Sequence, residues 1–542
     1  LIKFQKRFCI SVTDQRVARV DGDQEMTEWW RGACIYEVYL RSFQDSDGDG
    51  EGDLPGLLRR LPYLADLGVD AIWITPFSPS PMHDSGYDVS DYRAVDPRYG
   101  SLADFDAVIA RSHELGLKVI IDQVYSHSSN EHPWFAESRS SHDNPKADWY
   151  VWADAKEDGT APNNWLARFG GIAWEWCPQR RQYYLHNFLV EQPDLNLHNK
   201  ELQAEILDTM KFWLDRGIDG LRLDVANFYT HDPELRDNPP AERGGDLPSN
   251  PYYLQQRLYD RSRPETLPFL EDMRRLAGDK LLLAEISCDW QVQRMVEYTK
   301  PGRLHTAYSF ELFAPDLDGR HIAAATTQAS ETDSWPTWAL SNHDVARVAT
   351  RWGVENEPRR ITQLHALLLS LQGTVILFQG EELGLPHAVV PREHRRDPEG
   401  IRFWPFDRGR DGARTPFPWT DEEGLGFSEG ATTWLPADPA HADLSVASQS
   451  NDPNSLLAGC RSLLALRKRT PALRLGDFNV FEVEKDWLVF QRTHAGVTLI
   501  CAFNFAGSSQ RLKIDGIEAV LAGELDQGQL PAGGFVIAEV KA

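Results

Sequence analysis

Eight short apolar runs, each followed by enough chain for a helix, leave few architectures open to this sequence. They span residues 34–39, 71–75, 118–124, 220–224, 281–286, 307–310, 337–340 and 374–378. Strands that are apolar along their whole length suit a parallel sheet covered by helices, not a sheet with one wet face. Eight of them predict an α/β fold built on a closed (β/α)8 TIM barrel. The stretch 202–216 carries the matching helical pattern, with Leu207, Met210, Trp213 and Leu214 on one face and Gly217 placed to end it.

The spacing is uneven. Far more chain than one helix needs separates the third run from the fourth, which predicts an inserted subdomain over 126–195. The barrel then comprises 26–125 and 196–472. Segments 228–265 and 386–440 are Pro-rich and irregular, and they are expected to build the rim above the barrel. After a helix around 456–468, alternating runs at 478–483, 487–492 and 497–503 predict a C-terminal antiparallel β-sandwich over 473–542. Residues 1–25 lack such patterning and read as a disordered leader.

A net charge of −25 repels nucleic acid and anionic membrane surfaces, so neither is expected as a partner. Solubility alone, or a neutral ligand, accounts for it. The cysteines at 9, 34, 177, 288, 460 and 501 form no CxxC pair, which reads as reduced thiols in a cytoplasmic protein. No apolar run approaches the ~20 residues that span a bilayer.

In a barrel of this type, chemistry sits at the C-terminal ends of the strands. There the sequence places Asp122-Gln-Val-Tyr-Ser-His127, Asp219-Gly-Leu-Arg222-Leu-Asp224, Ala284-Glu285 and Ser341-Asn-His343-Asp344. Strand alternation aims Arg222 and Asp224 to one side, Leu221 and Leu223 to the other. A guanidinium beside Asp224 favours the ionised carboxylate of a nucleophile; a buried Arg–Asp pair serving only the barrel is the alternative. Glu285 follows an apolar run without a basic neighbour, so its carboxyl is expected to hold a proton near neutrality. Two carboxyls with opposed proton affinities, joined by Asp344, meet the requirement for glycoside hydrolysis with retention. His127 and His343 lack a third His or Cys at metal spacing, which favours hydrogen bonding to substrate hydroxyls over zinc. Separately, Asp45-Ser-Asp47-Gly-Asp49-Gly-Glu51-Gly-Asp53 alternates acids with small residues. That is either a tight loop around a hard cation or a solvated acidic turn.

These segments resemble the signature regions of the α-amylase superfamily, glycoside hydrolase family 13, over about residues 29–540. Gln192-Pro-Asp-Leu-Asn196, Gln379-Gly-Glu-Glu-Leu-Gly384 and Ala413-Arg-Thr-Pro416 with Trp419 are similar to its oligo-1,6-glucosidase and α-glucosidase branch. The resemblance implies Asp224 as covalent nucleophile, Glu285 as acid/base and Asp344 as transition-state stabiliser. It implies His127, Arg222, His343, Arg414 and Asp88 (in Gly86-Tyr-Asp-Val) around the terminal glucose, with Phe169 lining the same pocket. It further implies a structural Ca2+ or Mg2+ on Asp45, Asp47, Asp49, the Glu51 carbonyl and Asp53, and no organic cofactor. Ser126 stands where many α-amylases carry a calcium-ligating Asn, so that other calcium site is not expected. Val225, directly after the nucleophile, leans towards α-1,6 bonds in relatives. The implied activity is that of a retaining, exo-acting α-glucosidase on short α-glucosides, working as monomer or homodimer. A transglucosylase or sucrose isomerase of the same family is the first alternative, and a non-catalytic carbohydrate-binding protein the second.

Overall fold

The computed structural model describes residues 28–242, 247–430 and 432–541; the expected leader lies outside them. The first three barrel strands are β1 (Cys34–Val38), β2 (Ala71–Ile74) and β3 (Lys118–Gln123). Between β3 and the fourth barrel strand lie β4 (Trp152–Ala153), β5 (Trp174–Cys177) and β6 (Gln182–Leu185), a small sheet of order β4-β6-β5. The barrel resumes with β7 (Gly220–Leu223), β8 (Leu281–Ile286), β9 (Thr306–Ser309), β10 (Pro336–Ala339) and β11 (Thr374–Phe378). It closes in the order β1-β11-β10-β9-β8-β7-β3-β2, and neighbours pair in parallel throughout.

A helix follows each barrel strand: α1 (Leu54–Leu67), α2 (Leu102–Glu114), α3 (Lys200–Asp215), α4 (Leu267–Ala277), α5 (Gln291–Tyr298), α6 (Gly319–Ser330), α7 (Pro358–Ser370) and α8 (Leu456–Arg469). Alternation along the strands splits the core in two. Ile35, Ala71, Trp73, Ile120, Leu281, Leu283, Tyr308 and Ile376 fill the barrel interior, while Ile72, Ile74, Leu221 and Leu223 join the helices outside. The interior is therefore packed, and a ligand can enter only at an end.

In α3 the fully buried stripe is Leu202, Ile206, Met210 and Trp213; Leu207 and Leu214, expected in it, are half-buried flanks. Both lie one residue past the i, i+4 register that faces the barrel. Gly217 does end the helix, at φ 102, a left-handed conformation that costs glycine nothing.

After α8, strands β12 (Asp477–Glu484), β13 (Trp487–His494), β14 (Val497–Asn504), β15 (Gln510–Arg511), β16 (Ile517–Gly523), β17 (Gln529–Leu530) and β18 (Phe535–Val540) complete the chain. They form an antiparallel sheet of order β12-β13-β14-β18-β16 and a β15-β17 ribbon. Trp487, Val489, Ile500, Ala502, Leu512, Leu530, Val536 and Ala538 form one apolar cluster between them. The barrel side is fixed by Arg492, which is fully buried and donates to the carbonyls of Ser370 (2.5 Å) and Gly476 (2.9 Å). Among the described residues no helix is long and apolar enough to cross a membrane.

Candidate active site

The C-terminal ends of the barrel strands bring together the carboxylates that the sequence singled out. Leu223 ends β7 and Asp224 follows it, its amide bonded to the carbonyl of Gln123 (3.0 Å). The next residue turns sharply: Val225 has φ 34, a strained value for a β-branched side chain, and such strain gathers at functional sites. Asp224, Glu285 and Asp344 all line one cavity of about 650 Å3, together with Asp84, Tyr87, His127 and Phe169.

Arg222 lies beneath this cavity and is fully buried. Its Nη1 donates to Asp122 Oδ1 (2.8 Å) and Asp224 Oδ1 (2.5 Å), while Nη2 donates to Glu285 Oε2 and to the Tyr308 hydroxyl (3.0 Å). This corrects the expectation that Glu285 lacks a basic neighbour. One guanidinium serves three buried carboxylates and cannot keep all of them ionised. Burial, only partly offset by Arg222, lifts the Glu285 carboxyl to about 7. Burial, opposed by Arg222 but reinforced by Glu285, Asp122 and Asp344, also raises Asp224 well above the usual carboxylate range. Burial thus raises both carboxyls, and Arg222 lowers both without cancelling it, which corrects the expectation of two groups with opposed affinities.

Asp344 differs. Burial alone would raise its carboxyl, but the charges of Arg410 and Arg414, with Arg222 beyond them, outweigh it and hold Asp344 ionised. Arg414 Nη2 donates to Asp344 Oδ1 (2.7 Å) and Arg410 Nη1 to the same oxygen (3.3 Å).

His127 and Phe169 face the cavity as expected, whereas His343 lies behind its wall. His343 is fixed from both sides, Nδ1 to Glu37 Oε1 (2.5 Å) and Nε2 to the Tyr87 hydroxyl (2.6 Å), and burial holds its imidazole neutral. His127, kept neutral by burial at about 4, meets the Gln192 amide (3.1 Å) and the Ser126 hydroxyl (2.9 Å).

Besides Arg222 and His343, two more expected contacts fall outside the cavity lining. Asp88 does not reach the cavity: its carboxylate accepts from Ser80 Oγ and the amides of His83 and Asp84, closing its own loop. Asp84, four residues earlier, lines the cavity instead. Arg414 is fully buried behind Asp344, also bonding the carbonyl of His343 (2.8 Å). Arg410, one helical turn before it, faces the cavity, donates to Asp84 Oδ1 (2.7 Å) and Asp397 Oδ1 (2.6 Å), and lies 4.9 Å from the Phe169 ring centre. Both lie just upstream of the motifs already quoted, Asp84 before Gly86 and Arg410 before Ala413, outside the stretches that carry the resemblance. Tyr87, inside Gly86-Tyr-Asp88, and Glu37, at the end of β1, were also passed over.

The acidic loop after β1 gathers the carboxylates of Asp45, Asp47 and Asp49 within 4.8 Å of one another. Asp45 is nearly inaccessible and accepts the amides of Gly48 and Gly50 (2.8 Å each). Gly50 is required there: at φ 95, a Cβ would lie 2.3 Å from the carbonyl oxygen of Thr432. Glu51 pairs with Arg41 through its side chain, leaving its carbonyl as the group to test. Asp53 is not part of the gathered set; it caps α1, accepting from Gly56 (2.6 Å) and Ser46 (2.9 Å) amides. All these donors are hard oxygens, the chemistry that Ca2+ and Mg2+ prefer.

A family model described as the α-amylase catalytic domain matches residues 37–476. The chain belongs to this family. An α-amylase-family relative from Rhizobium meliloti (strain 1021), called a probable alpha-glucosidase, is 50% identical over 88% of this chain and 90% of its own. An oligo-1,6-glucosidase from Parageobacillus thermoglucosidasius is 34% identical over 88% of this chain and 90% of its own. Among solved structures of the family, an alpha-glucosyl transfer enzyme, XgtA, superposes with a TM-score of 0.92 at 50% identity, covering 95% of this chain and 100% of that one.

Proposed function

We propose that this protein is a retaining, exo-acting α-glucosidase that releases glucose from the non-reducing end of short α-glucosides. The observation that carries the reading is that Arg222 holds Asp224 with one terminal nitrogen and Glu285 with the other, at the same cavity. Retention needs carboxyls ~5–5.5 Å apart, whereas inversion separates them further to admit water; two acids bridged by one guanidinium fit the closer arrangement.

In the first step an Asp224 oxygen bonds the anomeric carbon as the C1–O bond to the leaving group breaks. The Glu285 proton passes to the departing oxygen. In the second, Glu285 takes a proton from water, the new hydroxide oxygen bonds C1, and the Asp224 ester bond breaks. Asp344, held ionised, receives sugar hydroxyls and steadies the positive charge that develops at the anomeric centre. Asp84, Arg410 and His127 supply the remaining polar contacts to the terminal glucose, with Phe169 as an apolar wall.

A glucosyl-ester intermediate can be taken by a sugar hydroxyl as well as by water. The 50% identity to an alpha-glucosyl transfer enzyme, as high as that to the probable alpha-glucosidase, supports some transfer here. The test is a panel of maltose, isomaltose, sucrose and phenyl α-glucoside with products resolved by chromatography and the first-formed anomer read by NMR. An α anomer lost in Asp224→Ala supports the reading, and a β anomer overturns it. Products that are mainly larger glucosides or isomers of the substrate assign the transferase role instead. Asp45, Asp47, Asp49 and the Glu51 carbonyl would hold a divalent cation that steadies the loop leading into α1, with no part in the chemistry.

A further inference from the structure

The acceptor side of the cavity contains a cation that nothing in the reading above uses. Four arginines line the cavity: Arg168, Arg257, Arg261 and Arg410. Arg168 is paired with Glu399, Arg257 with Asp260 (2.7 Å), and Arg410 with Asp84, Asp344 and Asp397. Among the described residues, Arg261 alone of the four has no carboxylate within ion-pair distance. It is 5% exposed, its Nη1 donates to the Tyr252 hydroxyl (2.9 Å), and its buried Nε has no hydrogen-bond partner. Its guanidinium is held 5.3 Å from the ring centre of Phe228, another cavity residue.

Its position is set by a chain of contacts. The amide of Ser262, the next residue, donates to the carbonyl of Asn227 (2.5 Å), and the Asn227 side chain donates to the carbonyl of Ser287 (2.9 Å). Ser287 lies two residues beyond Glu285, the group that protonates the leaving oxygen. Arg261 thus shares the leaving-group side with Ser287, Cys288 and Trp290, an indole that is 53% exposed at the same mouth.

A guanidinium only donates hydrogen bonds. An anionic aglycone would meet Glu242 and Asp289 on the same lining, and a chain of net charge −25. A neutral sugar offers hydroxyl oxygens without that repulsion. Resting on the glucosidase reading, we infer that Arg261 donates to a hydroxyl of the leaving sugar and makes the second ring of a disaccharide part of what is recognised.

The test compares kcat/KM for the best disaccharide substrate with that for phenyl α-glucoside, whose ring offers no hydroxyl, in wild type, Arg261→Gln and Arg261→Lys. Loss of a charge-assisted hydrogen bond predicts a fall of about 10- to 100-fold on the disaccharide in Arg261→Gln. The fall on phenyl α-glucoside should be under about threefold, and Arg261→Lys, which keeps a charged donor, should recover part of the loss. A thermal melt establishes that each variant is folded, and Arg261→Lys alone decides if Arg261→Gln is not. Equal losses on both substrates, or no loss on the disaccharide, overturn the inference. Wild-type turnover of phenyl α-glucoside separates the two levels. With it present, such a result sinks Arg261 alone; without it, the glucosidase reading falls and this one with it.

Discussion

At the scale of single residues, the site is an arrangement of too few cations for its acids. If Glu285 must be protonated to act, its carboxyl at about 7 sets the high-pH limb. kcat/KM should then drop tenfold per unit well above neutrality, because the deprotonated form cannot donate, and fall again on the acid side, where the raised Asp224 carboxyl takes up a proton and can no longer attack. A 2,4-dinitrophenyl α-glucoside, whose leaving group needs no proton, should lose that limb, and a limb unchanged on this substrate contradicts the assignment. The displaced sugar contacts make a second prediction. Asp84→Asn should cost on the order of 100-fold in kcat/KM, as charged contacts to substrate do, whereas Asp88→Asn should act mainly on the melting temperature, since it touches only its own loop. Why the sequence pointed to the wrong members of these pairs is plain. Spacing along a strand tells which residues share a face, and it placed Arg222 and Asp224 correctly. Asp84, Asp88, Arg410 and Arg414 sit on irregular loops, where no period says which side chain turns inward.

At the scale of elements, legibility follows hydrogen-bond periodicity. Every barrel strand lay within a residue or so of its apolar run, because an uninterrupted stretch of β-formers flanked by helix has only one use in such a chain. The face of α3 was less legible: Leu207 and Leu214 are as apolar as Leu202 but differ in angle about the axis. The same scale holds the acidic loop. If a cation bridges Asp45, Asp47 and Asp49, stripping it with EDTA should lower the melting temperature by a few degrees, at about 1 °C per kcal/mol for a chain of this length, and excess Ca2+ should restore it. Turnover at 25 °C should change by less than twofold, since these groups do not line the cavity. A melting temperature indifferent to chelator and Ca2+ makes the loop a solvated turn.

At the scale of the whole molecule, the C-terminal sheet is fastened to the barrel by polar pins beside an apolar face, Leu488, Phe490, Leu499 and Phe503, that joins the main core. Arg492 reaches the carbonyls of Ser370 and Gly476, and Gln363 of α7 donates to those of Asn504 (2.9 Å) and Gly534 (2.7 Å). Removing the first pin strands buried acceptors, so Arg492→Met should destabilise by about 2–4 kcal/mol, read as a lower urea midpoint with unchanged slope. A second, earlier transition would instead mean that the sheet detaches alone. The filled barrel interior has a consequence for traffic. With no passage through the bottom, arrival and departure share the face at the C-terminal ends of the strands, so the severed sugar has to clear that side before water or a second sugar can reach the esterified glucose. Free glucose lingering on that face then stands in the way of new substrate, and accumulating product slows the enzyme by occupancy alone.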